Sequence, residues 1–140
     1  MGMGVRISRG CLACEFSSFP WVCYCWEALW TASYDLRCSY AFDGIRRSGQ
    51  PFLTGRRLFA MADKGAPDGI KCDLQGNVYS GCGDGVNVWS PGGVLLGRIL
   101  VDGGVANFCF GKKGEIFLLN ETKLWRAQLA EHTMGALLKI

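Results

Sequence analysis

From Ser39 onward the apolar residues of the chain fall in short runs without helical spacing, and each run ends at a cluster of Gly, Pro, Asp or Asn. Tyr40-Ala41-Phe42 is the first run and Arg57-Leu58-Phe59-Ala60-Met61 the second, with a polar loop containing Gly and Pro between them. The pattern then predicts four strands in succession, at residues 69–72, 77–82, 86–89 and 94–100. Asp73-Leu74-Gln75-Gly76, Gly83-Asp84-Gly85 and Ser90-Pro91-Gly92-Gly93 separate them, and each separator carries the glycine that a tight hairpin needs for positive φ. Residues 67–100 are therefore expected to form an antiparallel four-stranded meander with Ile70 and Cys72 on one face. A one-residue slip would turn that apolar set to the wrong side, which fixes the register. Three further strands follow, at 106–110, 115–119 and 123–127, and helical spacing is met only in the tail, at 131–140.

The pattern repeats. Placing Gly76 on Gly114 sets a shift of 38 residues, which also pairs Ile70 with Phe108, Cys72 with Phe110, Tyr79 with Phe117 and Val86 with Leu124. A period near 40 residues with four short strands per unit is the signature of propeller blades. Two strands before Pro67, four in the central unit and three after it make about two and a half blades, whereas a closed propeller takes about four to eight. The expected fold class is all-β: a partial β-propeller of four-stranded antiparallel blades.

Composition narrows the reading. A chain of 140 residues with 49% hydrophobic and 19% charged residues can bury a core. The net charge of +3 is mild and scattered, so no nucleic-acid partner is expected, and Arg46-Arg47 and Arg56-Arg57 read as solvated turn and edge residues. Residues 1–38 differ in character: they hold five of the eight cysteines and three tryptophans, and they read as an apolar leader outside the propeller, disordered or helical. Cys11-x-x-Cys14 followed by Cys23-x-Cys25 is not a zinc spacing and has no histidine beside it. Cys72, Cys82 and Cys109 lie in apolar strand runs, where cysteine acts as a small hydrophobe. Glu15, Ser17, Ser18 and Pro20 interrupt the leader, and it contains no 18-residue uncharged span. The expectation is a cytoplasmic chain with no membrane partner.

Residues 67–90, Pro-Asp-Gly-Ile-Lys-Cys-Asp-Leu-Gln-Gly-Asn-Val-Tyr-Ser-Gly-Cys-Gly-Asp-Gly-Val-Asn-Val-Trp-Ser, carry a further signal. The stretch resembles the Pro-Asp-Gly blade of the gluconolactonase / senescence-marker-protein / luciferin-regenerating-enzyme family, most closely its fungal gluconolactonase-like members. The resemblance runs from about Tyr40 to Glu131, leaves residues 39–131 as the propeller region and 132–140 as a tail, and implies the C-terminal part of a six-bladed fold. It implies divalent-metal-dependent hydrolysis of a sugar lactone or related cyclic ester. Asp68 then takes the position of a catalytic metal ligand for one divalent cation (Ca²⁺, Zn²⁺, Mn²⁺ or Mg²⁺), which polarises the lactone carbonyl and activates water. Pro67 fixes the approach of the chain to that carboxylate and Gly69 clears room beside it.

The family completes its metal shell with an N-terminal glutamate and the asparagine of a Pro-Asn-Gly motif, and neither has a match here. The chain thus reads as a truncated lactonase, or alternatively as a non-catalytic propeller remnant, an interaction module or an incomplete gene product. Asn107, 39 residues after Asp68, is the candidate substrate contact, with an amide that caps the inner-strand turn as the alternative. Asp73 and Asp84 are expected in hairpin turns that point away from the channel. Gly81-x-Gly83-x-Gly85 precedes a strand and not a helix, so it gathers no anion hole. His132 stands alone in the tail, and Asn120-Glu121-Thr122 reads as a hairpin turn. The expected partner is a small-molecule lactone, with open blade edges left to self-associate.

Overall fold

The computed structural model describes the backbone of residues 13–15, 21–26 and 37–136. Eleven strands form three antiparallel sheets, and the described residues contain no α-helix. The first sheet has the order β1-β2-β3-β4, built from β1 (Ala13–Glu15), β2 (Trp21–Trp26), β3 (Cys38–Arg47) and β4 (Gln50–Met61). The second is the central meander, β5 (Ile70–Cys72), β6 (Val78–Cys82), β7 (Gly85–Trp89) and β8 (Leu95–Leu100), in sequence order. The third holds β9 (Asn107–Phe110), β10 (Glu115–Leu119) and β11 (Leu124–Gln128).

The 38-residue repeat is kept in the hydrogen-bond register. Ile70 pairs with Ser80 and Phe108 with Leu118; Val78 pairs with Trp89 and Ile116 with Ala127. The turns repeat as well: Asp73 N–H donates to Asn77 O at 3.0 Å, as Gly111 N–H does to Glu115 O at 2.8 Å. Gly76 and Gly114 both adopt positive φ, +80° and +77°, which fixes glycine at the same place in both hairpins.

Strand alternation sends two sets of side chains in opposite directions from the central sheet. Ile70, Cys72 and Val78 pack with Ala41 and Phe59 of the first sheet, while Cys82 and Trp89 pack with Ala60 and Ala62. Tyr79 and Val86 face the third sheet and meet Phe108, Phe110, Ile116 and Leu118. There Tyr79 and Phe110 stand edge to face with centroids 5.0 Å apart, and Phe110 and Phe108 at 6.1 Å, a geometry that adds about 0.5–1.5 kcal/mol per pair beyond area burial. The meander expected over 67–100 is thus observed, with Ile70 and Cys72 buried on one face.

Two differences from the sequence expectation concern the first sheet. Ala13–Glu15 and Trp21–Trp26, expected in a leader outside the sheets, are strands, with β2 paired to β3 from Trp21 opposite Gly44 to Trp26 opposite Ser39. The remainder of residues 1–36 lies outside the described residues. The polar loop expected between Phe42 and Arg57 is also strand: β3 and β4 run on as a hairpin to a Ser48-Gly49 turn. Its residues are too polar for a sequence pattern to mark as strand, yet the register continues because backbone pairing does not need an apolar face. Residues 131–136 of the tail, where helical spacing was seen, instead bring Gly135 into a bridge with Asp73; residues 137–140 lie outside the described residues.

Candidate functional site

Asp68 sits where the chain enters the central sheet, and its backbone is held from both neighbouring sides. Its N–H donates to Gly81 O at 2.8 Å, Gly69 N–H donates to Ala106 O at 2.8 Å, and Gly81 N–H returns a bond to Gly69 O at 2.8 Å. Pro67 is buried and Asp68 exposed, so the turn buries its ring and presents its carboxylate. Among the described residues that carboxylate makes no hydrogen bond or ion pair. Partial desolvation, with no cation to oppose it, raises its pKa above the usual aspartate value of 3.8.

The second candidate lies alongside. Asn107 opens β9, and a Cβ on Gly69 would come within 2.5 Å of Asn107 Oδ1 and 2.9 Å of its Cα. Because the repeat puts Asn107 on Gly69 and Ala106 on Asp68, the two candidates occupy different positions of successive units, brought together by adjacent sheets. Asn107 is exposed, and its Oδ1 accepts from Phe108 N–H at 2.8 Å, so the amide oxygen serves the strand start.

The other residues noted in the sequence have local work. Asp73 lies in the hairpin turn between β5 and β6, is 4% exposed and organises that hairpin. Its Oδ1 accepts from Gln75 N–H and Asn77 N–H, each at 2.9 Å, and its Oδ2 from Asn77 Nδ2 at 2.9 Å and Tyr79 OH at 3.3 Å. Burial and the Asp73 charge both push the Tyr79 phenol well above its usual pKa. Asp84 lies near Arg98, 3.8 Å from its Nη1, and Arg98 also pairs with Asp63. The glycine series 81, 83, 85 serves close packing: a Cβ on Gly81 would run into the Val105 carbonyl, and one on Gly83 would lie 3.2 Å from Gly65 Cα. Asn120 Nδ2 donates to Gly104 O at 2.8 Å and Asp102 O at 3.1 Å, consistent with a turn residue. His132 is exposed. The spacing Asp-x-x-x-Asn-x-Tyr at an Asx turn is the signal that would have found the Asp73 network.

Three antiparallel sheets stacked face to face, two of them repeating one register, define a partial β-propeller, with an exposed aspartate at the entry of an inner strand. The comparisons with known proteins agree with that class. No protein-family model matches the chain. Over 67 residues it is 36% identical to the gluconolactonase of Zymomonas mobilis subsp. mobilis, a match covering 46% of this chain and 19% of that protein. A solved gluconolactonase from Xanthomonas campestris, described as important in glucose secondary metabolic pathways, superposes with a TM-score of 0.64 at 31% identity, over 77% of this chain and 34% of that one. A second solved structure, from a structural genomics study of a gluconolactonase family, has a TM-score of 0.69 over 94% of this chain and 41% of its own, and at 22% identity it supports the fold alone. The chain is thus similar to gluconolactonases, and it spans about a fifth of the curated relative and about a third of the Xanthomonas protein.

Proposed function

We propose that this chain contributes Asp68 to the active centre of a gluconolactonase-like propeller that hydrolyses a sugar lactone or related cyclic ester. The observation that carries this reading is the Asp68 carboxylate itself, exposed, without an internal partner among the described residues, and held on a backbone tied to β6 of the central sheet and to Ala106 at the start of the third. In lactone hydrolysis the oxygen of water bonds to the acyl carbon, the ring C–O bond breaks, and a proton passes to the released ring oxygen. A carboxylate with both oxygens uncommitted can orient the water, accept its proton or ligate a cation. Asn107, beside Gly69, is an exposed amide at the same end of the sheets, and its NH₂ group suits a sugar hydroxyl.

The intact family implies a divalent cation, Ca²⁺, Zn²⁺, Mn²⁺ or Mg²⁺, with Asp68 among its ligands. The described residues alone do not fit one. No group of three His, Cys, Asp or Glu side chains converges among them, while a hard cation takes about six oxygen ligands. The rest of such a shell has to come from outside the described residues.

Isothermal titration with Ca²⁺, Mn²⁺ and Zn²⁺, together with pH-stat measurement of gluconolactone hydrolysis, tests the reading. Weak metal binding should be lost in Asp68→Asn and kept in Asp102→Asn, with hydrolysis no more than marginal over buffer. Equal losses in the two variants would remove Asp68 from the centre, and vigorous metal-dependent turnover would show that this chain by itself completes a working site. A non-catalytic interaction module is the second reading, favoured by the lack of convergent metal-ligating groups among the described residues.

A further inference from the structure

The register of the first sheet gathers what the sequence keeps apart. Among the described residues β2 pairs with β3 as far as Gly44, and beyond that point β3 and β4 continue as a two-stranded ribbon. Ile45 stands opposite Phe52, Arg46 opposite Pro51 and Arg47 opposite Gln50. The ribbon turns at Ser48 and Gly49, with φ of +50° and +79°, the left-handed pair of a tight hairpin turn. Every residue from 45 to 58 whose side chain is described is exposed.

Charge is concentrated there. Residues 44–57 contain Arg46, Arg47, Arg56 and Arg57 and no acid, a formal charge of +4 against +3 for the whole chain, which leaves the remainder at −1. The guanidiniums are held in place: Arg47 Cζ lies 4.9 Å above the Phe52 ring, Arg56 Cζ 4.1 Å above Tyr40, and Arg46 Nη1 donates to Gly49 O at 3.2 Å. At the base, Arg57 pairs with Asp43 at 2.7 Å, where Gly55, at φ +62°, sits in a bulge of β4.

Three large apolar side chains are exposed on the same tip, Ile45 at 43%, Phe52 at 44% and Leu53 at 41%. Ile45 and Phe52 share one face, while Leu53, paired with Gly44, lies on the other. Docking against one protein surface would bury one face and leave the other wet. Nor does the tip offer the run of flat stacking surfaces that single-stranded nucleic acid uses, since Ile45 and Leu53 are aliphatic and Arg47 already lies over one face of the Phe52 ring. A medium that surrounds the tip suits both faces: the acyl boundary takes the apolar groups, and arginines at that level reach the headgroup phosphates.

We infer that the β3–β4 ribbon is a membrane-surface anchor, which inserts Ile45, Phe52 and Leu53 into the interface of a bilayer rich in anionic lipid and sets Arg46, Arg47 and Arg56 against its phosphates. No helix among the described residues is long and apolar enough to cross a membrane, and the attachment is peripheral. The sequence expectation of no membrane partner rested on the lack of an 18-residue uncharged span, a criterion for spanning segments and not for surface attachment, and it took the two Arg pairs as solvated turn and edge residues. Pairing puts them on one ribbon.

The test is flotation of the purified 140-residue chain with vesicles in a density gradient, where aggregated protein stays at the bottom. Vesicles of phosphatidylcholine with a quarter phosphatidylserine should carry the chain up, and pure phosphatidylcholine or high salt should not. Arg46→Gln with Arg47→Gln should lower partitioning about 25-fold, from roughly fivefold per charge. Phe52→Ser should also lower it with the charge intact, whereas Lys112→Gln with Lys123→Gln, exposed cations elsewhere, should leave it unchanged, all with unaltered circular dichroism. Equal binding to neutral vesicles, equal loss from the lysine pair, or tighter binding to a single-stranded oligonucleotide than to anionic vesicles at the same salt would overturn the anchor.

Discussion

Asn107 occupies the space that a side chain on Gly69 would need, with its Cα only 2.9 Å from the position of a Cβ there. The contact joins the strand that follows the exposed aspartate to the first residue of the next sheet. Gly69→Ala would force backbone apart, because an α-carbon cannot rotate away as a flexible side-chain end can. Thermal unfolding should show a loss of about 1–3 kcal/mol, the usual cost of overpacking. A value within experimental error of wild type would mean that the two sheets slide freely at this seam.

Asp73 ties the central hairpin to the core through Tyr79 and to the tail through the bridge at Gly135. Asp73→Ala strips four donors of their acceptor, two of them backbone N–H groups, and should cost about 2–4 kcal/mol. Tyr79→Phe removes one hydroxyl of that network and should cost about 1 kcal/mol. Paired melts of the two variants check the ranking.

The raised pKa of Asp68 has a direction in stability. The folded state holds the proton more tightly than the unfolded chain, so a stability penalty is absent below pH 3.8, grows as pH rises through the folded pKa, and is complete above it. Asp68→Asn should therefore melt slightly higher than wild type at pH 7 and equally at pH 3.5. Melts across that range check the sign, and a variant that melts lower at pH 7 would contradict it.

Thiol chemistry should follow burial. Desolvation, with Asp84 nearby, pushes the Cys82 thiol up to about 11, and Cys72 is buried, while Cys109 is exposed. At pH 8 about one Cys82 side chain in a thousand is thiolate. Iodoacetamide followed by peptide mapping should find Cys109 modified first among these three, with Cys72 and Cys82 protected until the chain is unfolded.

The third sheet ends at β11, where Leu124 is 66% and Trp125 43% exposed and no fourth strand lies alongside among the described residues. An open strand edge with apolar side chains pairs readily with another chain. Light scattering of the purified chain should show species larger than a monomer, and Leu124→Lys with Trp125→Lys should shift them toward monomer.

Period and turn chemistry made the blades legible from sequence alone. Short apolar runs over residues 69–100 mark four strands because turn residues close each run before a helix could form, and the glycines at 76 and 114 mark the turns because only glycine adopts their φ without strain. Asp68 was legible as a candidate from Pro67-Asp68-Gly69 and the likeness around it. Tertiary structure decided what depends on register and on groups distant in sequence. It carried β1 and β2 into the first sheet, turned Asp73 inward, set Asn107 against Gly69, and put Arg46, Arg47, Arg56 and Arg57 on one ribbon. None of these leaves a periodic trace along the chain, because cross-strand pairing is set by hydrogen bonds between residues whose spacing in sequence is arbitrary.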